Sequence, residues 1–302
     1  MTLIKDAARK SARIVLGRSR GDAVLYGLRD WAFRLAYRAD GRGRASARRL
    51  RSLANAYAGR RCFIIGNGPS LGAMDLAPLR AEVTFGLNRG YLLADRIGAP
   101  TTFLVAINHH VIDQFAAEML AAGSTTFFNW HSRGSVPPDA DATYLLGASG
   151  PRFSEEIPSH GVWDGGTVTY VAMQLAFYFG FHEVVLIGVD HSFATSGQPR
   201  ALVTSTGQDP NHFDPRYFGP GIRWQLPDLE TSELSYRLAK DRFERAGRQI
   251  LDATVGGKLT IFPKREYGDV VTWPAGTRRA GKAFCQSSAA SSDPRFIPDS
   301  ER

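Results

Sequence analysis

Cysteine is scarce in this chain: 302 residues hold two, Cys62 and Cys285. Neither has a CxxC partner or a metal-ligand neighbour, so spacing excludes a structural zinc and a redox motif. Both read as free thiols of a reducing compartment. Long apolar runs are lacking as well, and none approaches the ~20 residues that span a bilayer. Met1 to Leu16 carries basic residues but no continuous apolar segment and no small-residue cleavage site, which argues against a secretory signal and for the cytoplasm. Carboxylates are thin at one end. Residues 1–61 contain 16 Lys+Arg against 4 Asp+Glu, whereas the remainder contains 21 against 25. The formal charge of +8 therefore belongs to the N-terminal segment, and the body is mildly acidic. With no recognised nucleic-acid fold motif, such a body is not expected to bind nucleic acid.

What is present suits a globular protein, with 43% hydrophobic residues, enough for one large core or two small ones. No internal repeat is visible. From Asp22 to Arg38, the residues Val24, Leu25, Leu28, Trp31, Ala32 and Leu35 recur at helical spacing with Arg29, Arg34 and Arg38 between them. Two readings stand side by side: the helix lies peripherally on an anionic membrane, or its apolar face docks on the domain. The chain divides into a basic amphipathic segment, 1–58, an α/β nucleotide-binding domain, 59–284, and a Ser-, Asp- and Pro-rich tail, 285–302, expected to be disordered.

In the central domain, Arg61–Ile65, Val83–Leu87, Thr102–Ile107 and Val184–Val189 read as buried strands, and Thr125–Trp130 and Thr143–Leu146 as weaker ones. Thr167–Phe179 has the apolar spacing of a helix that Gly180 ends. Thr231 or Ser232 is expected to cap a second helix running to Leu251, with a last strand at Leu259–Phe262. Alternating strands and helices predict a Rossmann-like, mostly parallel sheet flanked by helices. His191 to Glu230 forms a long loop of the kind that serves as a lid. In it, Trp224 reads equally as a stacking surface for a sugar and as a buried anchor.

Phe63-Ile64-Ile65-Gly66-Asn67-Gly68-Pro69-Ser70-Leu71 reads as a strand entering a tight turn. Gly66 and Gly68 allow close backbone approach to a ligand, and Pro69 and Ser70 start a helical turn whose amino end favours anions. The motif is not a P-loop, and Leu71 stands where a GxGxxG pattern has its third glycine. Taken alone, it fits a structural turn equally well.

The loop has company. Gly66-Asn67-Gly68-Pro69-Ser70-Leu71, Phe85-Gly86-Leu87-Asn88-Arg89, Ala106-Ile107-Asn108-His109 and the block Phe179 to Asp190 occur in the order and spacing of the bacterial sialyltransferases of glycosyltransferase family forty-two. The chain resembles that family over residues 61–213. It is also similar to a wider set of Gly-x-Gly-Pro-Ser-Leu proteins, which includes motility accessory factors and archaeal 6-hydroxymethylpterin pyrophosphokinases. The resemblance implies an inverting, metal-independent transferase. Its donor substrate would be a CMP-activated acidic sugar, sialic-acid-like or another 2-keto acid, with no further cofactor. Its acceptor would be a glycan or glycolipid at the inner face of a bacterial inner membrane, and a homo-oligomer is compatible with it.

By position, the resemblance places Asn67, Asn88 and Asn108 at the nucleotide-sugar site, and the loop residues Gly66, Gly68 and Ser70 and the strand-end Asp190 are expected beside them. An Asn carboxamide both donates and accepts, so three at strand ends suit a base edge, a ribose and a sugar carboxylate. Gly165, Gly166 and Thr167 stand at a helix start that suits phosphate, or form a plain cap. Inverting transfer needs a base for the acceptor hydroxyl and groups that stabilise the departing phosphate. His212 is the preferred base and His191 the alternative, with Tyr217 and Arg216 as phosphate ligands. The chain departs from the family here: Ser192 replaces a tyrosine, and the family's catalytic His aligns near Arg216. Asp139-Ala140-Asp141 has the form of a metal-binding DxD but follows Pro137-Pro138 and reads as solvated.

Two other functions compete. A pterin-type pyrophosphokinase needs carboxylates for magnesium after the third strand, where this chain has Ala106-Ile107-Asn108-His109-His110. A non-catalytic nucleotide-binding protein would keep the fold and lose the base.

Overall fold

A computed structural model of the protein describes residues 31–148, 150–195 and 197–272. The expectations for Val24, Leu25, Leu28, Cys285 and the tail fall outside them.

Seven parallel strands form one sheet: β1 (Arg61–Ile65), β2 (Thr84–Leu87), β3 (Phe103–Ala106), β4 (Thr125–Asn129), β5 (Ala142–Leu145), β6 (Glu183–Ile187) and, last in the chain, β9 (Gln249–Asp252). Their spatial order is β5-β4-β3-β2-β1-β6-β9. The chain moves outward from β1 to one edge, then crosses back to lay β6 on the other side of β1. That reversal makes the β1/β6 junction the switch point, where an open α/β sheet leaves a crevice beyond its carboxyl ends. The fold is Rossmann-like.

The central strands are buried on both faces, and alternation assigns their side chains. Cys62 and Ile64 of β1 enter one core, Phe63 and Ile65 the opposite one. Over the first face lies α4 (Val168–Tyr178), buried from Thr169 to Tyr178. A helix apolar all round belongs in the middle of a domain. Thr167 caps it by accepting from the Thr169 amide at 3.2 Å. Beyond its end, Phe179 packs among Phe85, Phe103 and Phe127, and Gly180 takes a positive φ of 93° against Asn55. Helix α3 (His109–Ala121) covers β3 and β4 from the other face through Val111, Ile112 and Met119.

Before the sheet come α1 (31–39) and α2 (Gly41–Leu53). They cover the sheet edge at β5. The Ser46 hydroxyl accepts from the Tyr144 amide at 2.9 Å, and the Tyr37 hydroxyl donates to the Tyr144 carbonyl at 3.0 Å. These bonds satisfy backbone groups that an edge strand would leave open to pairing with another chain. In α1, Phe33 and Tyr37 do the docking, with Phe33 stacked on His131 at 4.0 Å. Trp31 and Leu35, two residues of the expected apolar stripe, face solvent at 63% and 51% exposure.

Three expectations need correction. Helix α5 (Leu229–Arg245) is capped by Asp228, whose Oδ1 accepts from the Thr231 amide at 3.0 Å, and not by Thr231 or Ser232. It stops at Arg245, where Gly247 adopts a positive φ of 68°, and Gln249–Asp252 becomes strand β9. Leu259–Phe262 is irregular: Leu259 and Phe262 are buried, but the Lys258 amide bonds to the Asp190 carbonyl, so the backbone there is committed to a loop. The long loop is also partly ordered, since β7 (Leu202–Thr204) and β8 (Arg223–Gln225) pair antiparallel within it. No helix among the described residues is long and apolar enough to cross a membrane.

Candidate functional site

A cavity of about 380 Å³ opens at the carboxyl ends of the strands, roofed by the β7–β8 loop. Gly66, Asn67, Gly68, Asn88, Asn108, Gly166, Thr167, Asp190, His191, His212 and Tyr217 line it, whereas Ser70, Gly165 and Arg216 do not. Residues from five separate loops thus meet on one wall.

The glycines of the first loop answer to the protein rather than to a ligand. A Cβ on Gly66 would lie 2.1 Å from the Gly188 carbonyl oxygen, and one on Gly68 would lie 1.7 Å from Asp190 Oδ2. Their amides are engaged too, Gly66 donating to the Ile187 carbonyl at 2.7 Å and Gly68 to that of Gly188 at 2.9 Å. Pro69–Ala73 is a short 3₁₀ turn. Its leading amide and hydroxyl, both from Ser70, donate to the Asp190 carboxylate at 3.1 and 2.7 Å. The anion expected there is therefore the protein's own Asp190, which clasps the β1 and β6 loops together.

The asparagines divide into two kinds. Asn108 caps α3, accepting from the His110 amide at 3.0 Å and reaching Gln225 Oε1 at 3.4 Å. Asn67 donates from Nδ2 to the Leu87 carbonyl at 3.0 Å, which orients the carboxamide and leaves Oδ1 buried without a partner. Asn88 sits at a positive φ of 49° with its Oδ1 likewise buried and unpartnered. Both oxygens are shielded from solvent as well as unpaired, and the Asn88 carboxamide lies within hydrogen-bonding reach of the Tyr217 phenol, so a ligand would reach them only after the carboxamides turn toward the cavity.

Three helix starts converge on the same space. The N-caps Asn108, Thr167 and Asp228 of α3, α4 and α5 all line the cavity. The start of α5 carries its own anion in Asp228, whereas those of α3 and α4 have neutral caps and leave a positive dipole end toward the cavity. Gly166 and Thr167 take part, whereas Gly165, at a positive φ of 58°, is packed against Ser235.

Both candidate bases sit beside carboxylates. His212 Nδ1 lies 2.6 Å from Asp209 Oδ2, and its ring stacks on Tyr217 with centroids 4.0 Å apart. His191 Nε2 lies 3.1 Å from Glu233 Oε1, on a backbone of positive φ, 54°. That hydrogen bond holds the Glu233 carboxyl below its ordinary value, with Arg237 adding to the effect. Tyr217 is buried under His212, and burial pushes its phenol pKa up, so it stays protonated. Arg216 points outward and pairs with Asp214 at 2.6 Å, holding that carboxyl low. Trp224 is 6% exposed, stacked on Phe218, and donates to the Ser205 hydroxyl at 3.1 Å, so it anchors the loop. Asp141 pairs with Arg49, far along the sheet from the cavity lining.

Sequence reasoning missed Asp209, Glu233 and Arg200. The i,i+3 spacing of Asp209-Pro210-Asn211-His212 was the available signal for the first, because an Asx turn there brings the carboxylate under the imidazole.

The chain is similar to the structure of MAf glycosyltransferase from Magnetospirillum magneticum AMB-1, at 17% identity and a TM-score of 0.46. The match covers 72% of this chain and 37% of that one, so this chain spans little more than a third of that protein's length. At that identity and score, the likeness does not bear on the chemistry. No family model and no curated protein sequence matches the chain.

Proposed function

We propose that the protein is a glycosyltransferase that moves an acidic sugar from a CMP-activated donor to a hydroxyl of a glycan or lipid-linked acceptor, with inversion and without a metal. The observation that carries this reading is the cavity beside the β1/β6 switch point, where Asn67, Asn88, Asn108 and His212 meet. A pyrimidine nucleotide sugar offers amino and hydroxyl donors to carboxamide oxygens and carbonyl or carboxylate acceptors to carboxamide amines. His212 takes the acceptor proton, and the Thr167 hydroxyl at the start of α4 is the donor assigned to the phosphate, since the Gly166 and Thr167 amides are held by Asp164. Arg200 lines the cavity and is half-exposed and paired with Asp228 at 3.0 Å, so its cationic role in place of the outward-facing Arg216 requires that pair to open.

Asn67→Ala should weaken CMP binding by roughly 1–3 kcal/mol, the cost of losing a buried hydrogen-bond partner. Its melting temperature should stay near that of the parent. Calorimetry showing unchanged CMP affinity would make the loop purely structural.

Turnover of a CMP-activated acidic sugar should survive EDTA. Loss on chelation, restored by magnesium, would favour the pyrophosphokinase reading instead.

Within the basic segment 1–61, we assign the exposed face of α1, with Trp31 and Leu35 as the apolar contacts, to an anionic membrane at the inner face of the bacterial inner membrane. Replacing both by Ser should reduce sedimentation with phosphatidylglycerol vesicles while leaving the melting temperature unchanged. Binding should also weaken at high salt, where the Debye length falls from ~10 Å at 0.1 M to ~3 Å at 1 M. Vesicle binding unaffected by the double replacement would remove α1 from the membrane.

A further inference from the structure

The two histidine–carboxylate pairs differ in how firmly they are built. Glu233 is 39% exposed and shared with Arg237, so water competes for its hold on His191. Asp209 is enclosed, its side chain 2% exposed. Its Oδ1 accepts from the Asn211 amide at 2.9 Å, and its Oδ2 accepts from the Phe218 amide at 3.1 Å as well as from His212. A carboxylate held by backbone donors is an acceptor only, so the proton between it and His212 belongs to Nδ1. The neutral imidazole then keeps its lone pair on Nε2.

The ring plane is fixed independently. Tyr217 stacks beneath His212 with 10° between planes, and Phe218 meets its edge at 4.8 Å. The platform is itself pinned: buried Arg89 donates to the carbonyls of Arg216 and Tyr217 and lies 3.8 Å over the Phe115 ring. Stacking sets the plane, and Asp209 sets rotation and tautomer.

We infer that Asp209 is the positioning residue of the cavity, holding His212 in its Nδ1-protonated form so that Nε2 is the proton acceptor. This inference rests on the transferase reading above. In the step, the acceptor oxygen forms its bond to the anomeric carbon as its proton passes to His212 Nε2. The bond from that carbon to the nucleotide phosphate oxygen breaks, and the phosphate leaves with the electron pair. The resulting imidazolium is a charged donor to Asp209, an interaction stronger in the transition state than in the ground state.

The test pairs a structural with a kinetic readout. Nitrogen-15 NMR of the histidine-labelled full chain, without ligand, should show His212 protonated on Nδ1 and should show that tautomer lost in Asp209→Asn. Release of CMP from a CMP-activated acidic sugar should fall about 10²–10⁴-fold in kcat for Asp209→Asn. KM for the donor should change less than threefold or so, since Asp209 makes no donor contact in this reading. An Nε2-protonated His212 in the parent protein overturns the inference even if the variant fails to fold. Near-parental kcat in Asp209→Asn, with His212→Ala inactive, overturns Asp209 alone. Full activity in both variants sinks the His212 reading itself.

Discussion

Replacing His212 by Ala should lower CMP-sugar turnover by roughly 10²–10⁴-fold, the range for a lost general base, while CMP affinity changes little. The imidazole lines the cavity, and its Nδ1 is taken by Asp209, so removal deletes a proton acceptor without deleting a nucleotide contact. Truncation also leaves a gap above Tyr217, so the melting curve must be measured alongside turnover. His191→Ala should have a smaller effect, because Glu233 and Arg237 form an ion pair that survives without the histidine. Steady-state rates for the two variants check the ranking. A larger loss for His191→Ala would reverse the roles, and near-parental rates in both would leave no histidine base.

Gly66→Ala should destabilise the ligand-free protein by about 3 kcal/mol, at the top of the usual range for overpacking. The added methyl would meet the Gly188 carbonyl oxygen at 2.1 Å and its carbon at 2.6 Å. Both are backbone atoms at the β1/β6 switch point, so no side chain can swing aside. The shift needed to relieve the clash would also strain the 2.7 Å bond from the Gly66 amide to the Ile187 carbonyl. Denaturant titration without nucleotide separates this from a ligand-approach role. A glycine kept for the ligand would leave stability unchanged and lower affinity alone.

Much of the fold was legible because hydrophobic runs and punctuation agreed. Cys62–Ile65 and Val184–Ile187 are continuous apolar runs, and both are central strands of a sheet buried on both faces. Thr167 and Gly180 bracket α4 with a hydroxyl cap and a positive-φ stop. The errors arose where local pattern and tertiary pairing disagreed. Gln249–Asp252 continues the helical spacing of α5, yet β6 offers it a free edge, and parallel pairing prevails after the turn at Gly247. Leu259 and Phe262 are as apolar as strand residues but pack from an irregular loop.

The site was legible in its parts and less so in its wiring. Asn67, Asn88, His191 and His212 are brought to one cavity by strand ends that the pattern had located. Ser70 looked like an anion ligand because nothing in the linear order shows that Asp190, 120 positions later, is the anion it holds. Arg216 looked like a phosphate ligand because its pairing with Asp214, two residues away, turns on a local bend invisible in composition. Asp209 forms a turn with the Asn211 amide, and its second role depends on the distance to His212.

The most direct test of the central claim is calorimetric titration of the parent protein with CMP, UDP, GDP and ATP, each with and without magnesium, repeated with CMP on Asn67→Ala and Asn88→Ala. The account predicts that CMP binds more tightly than the others, needs no magnesium, and is weakened by each replacement. ATP binding that depends on magnesium, with no heat from CMP, would contradict it.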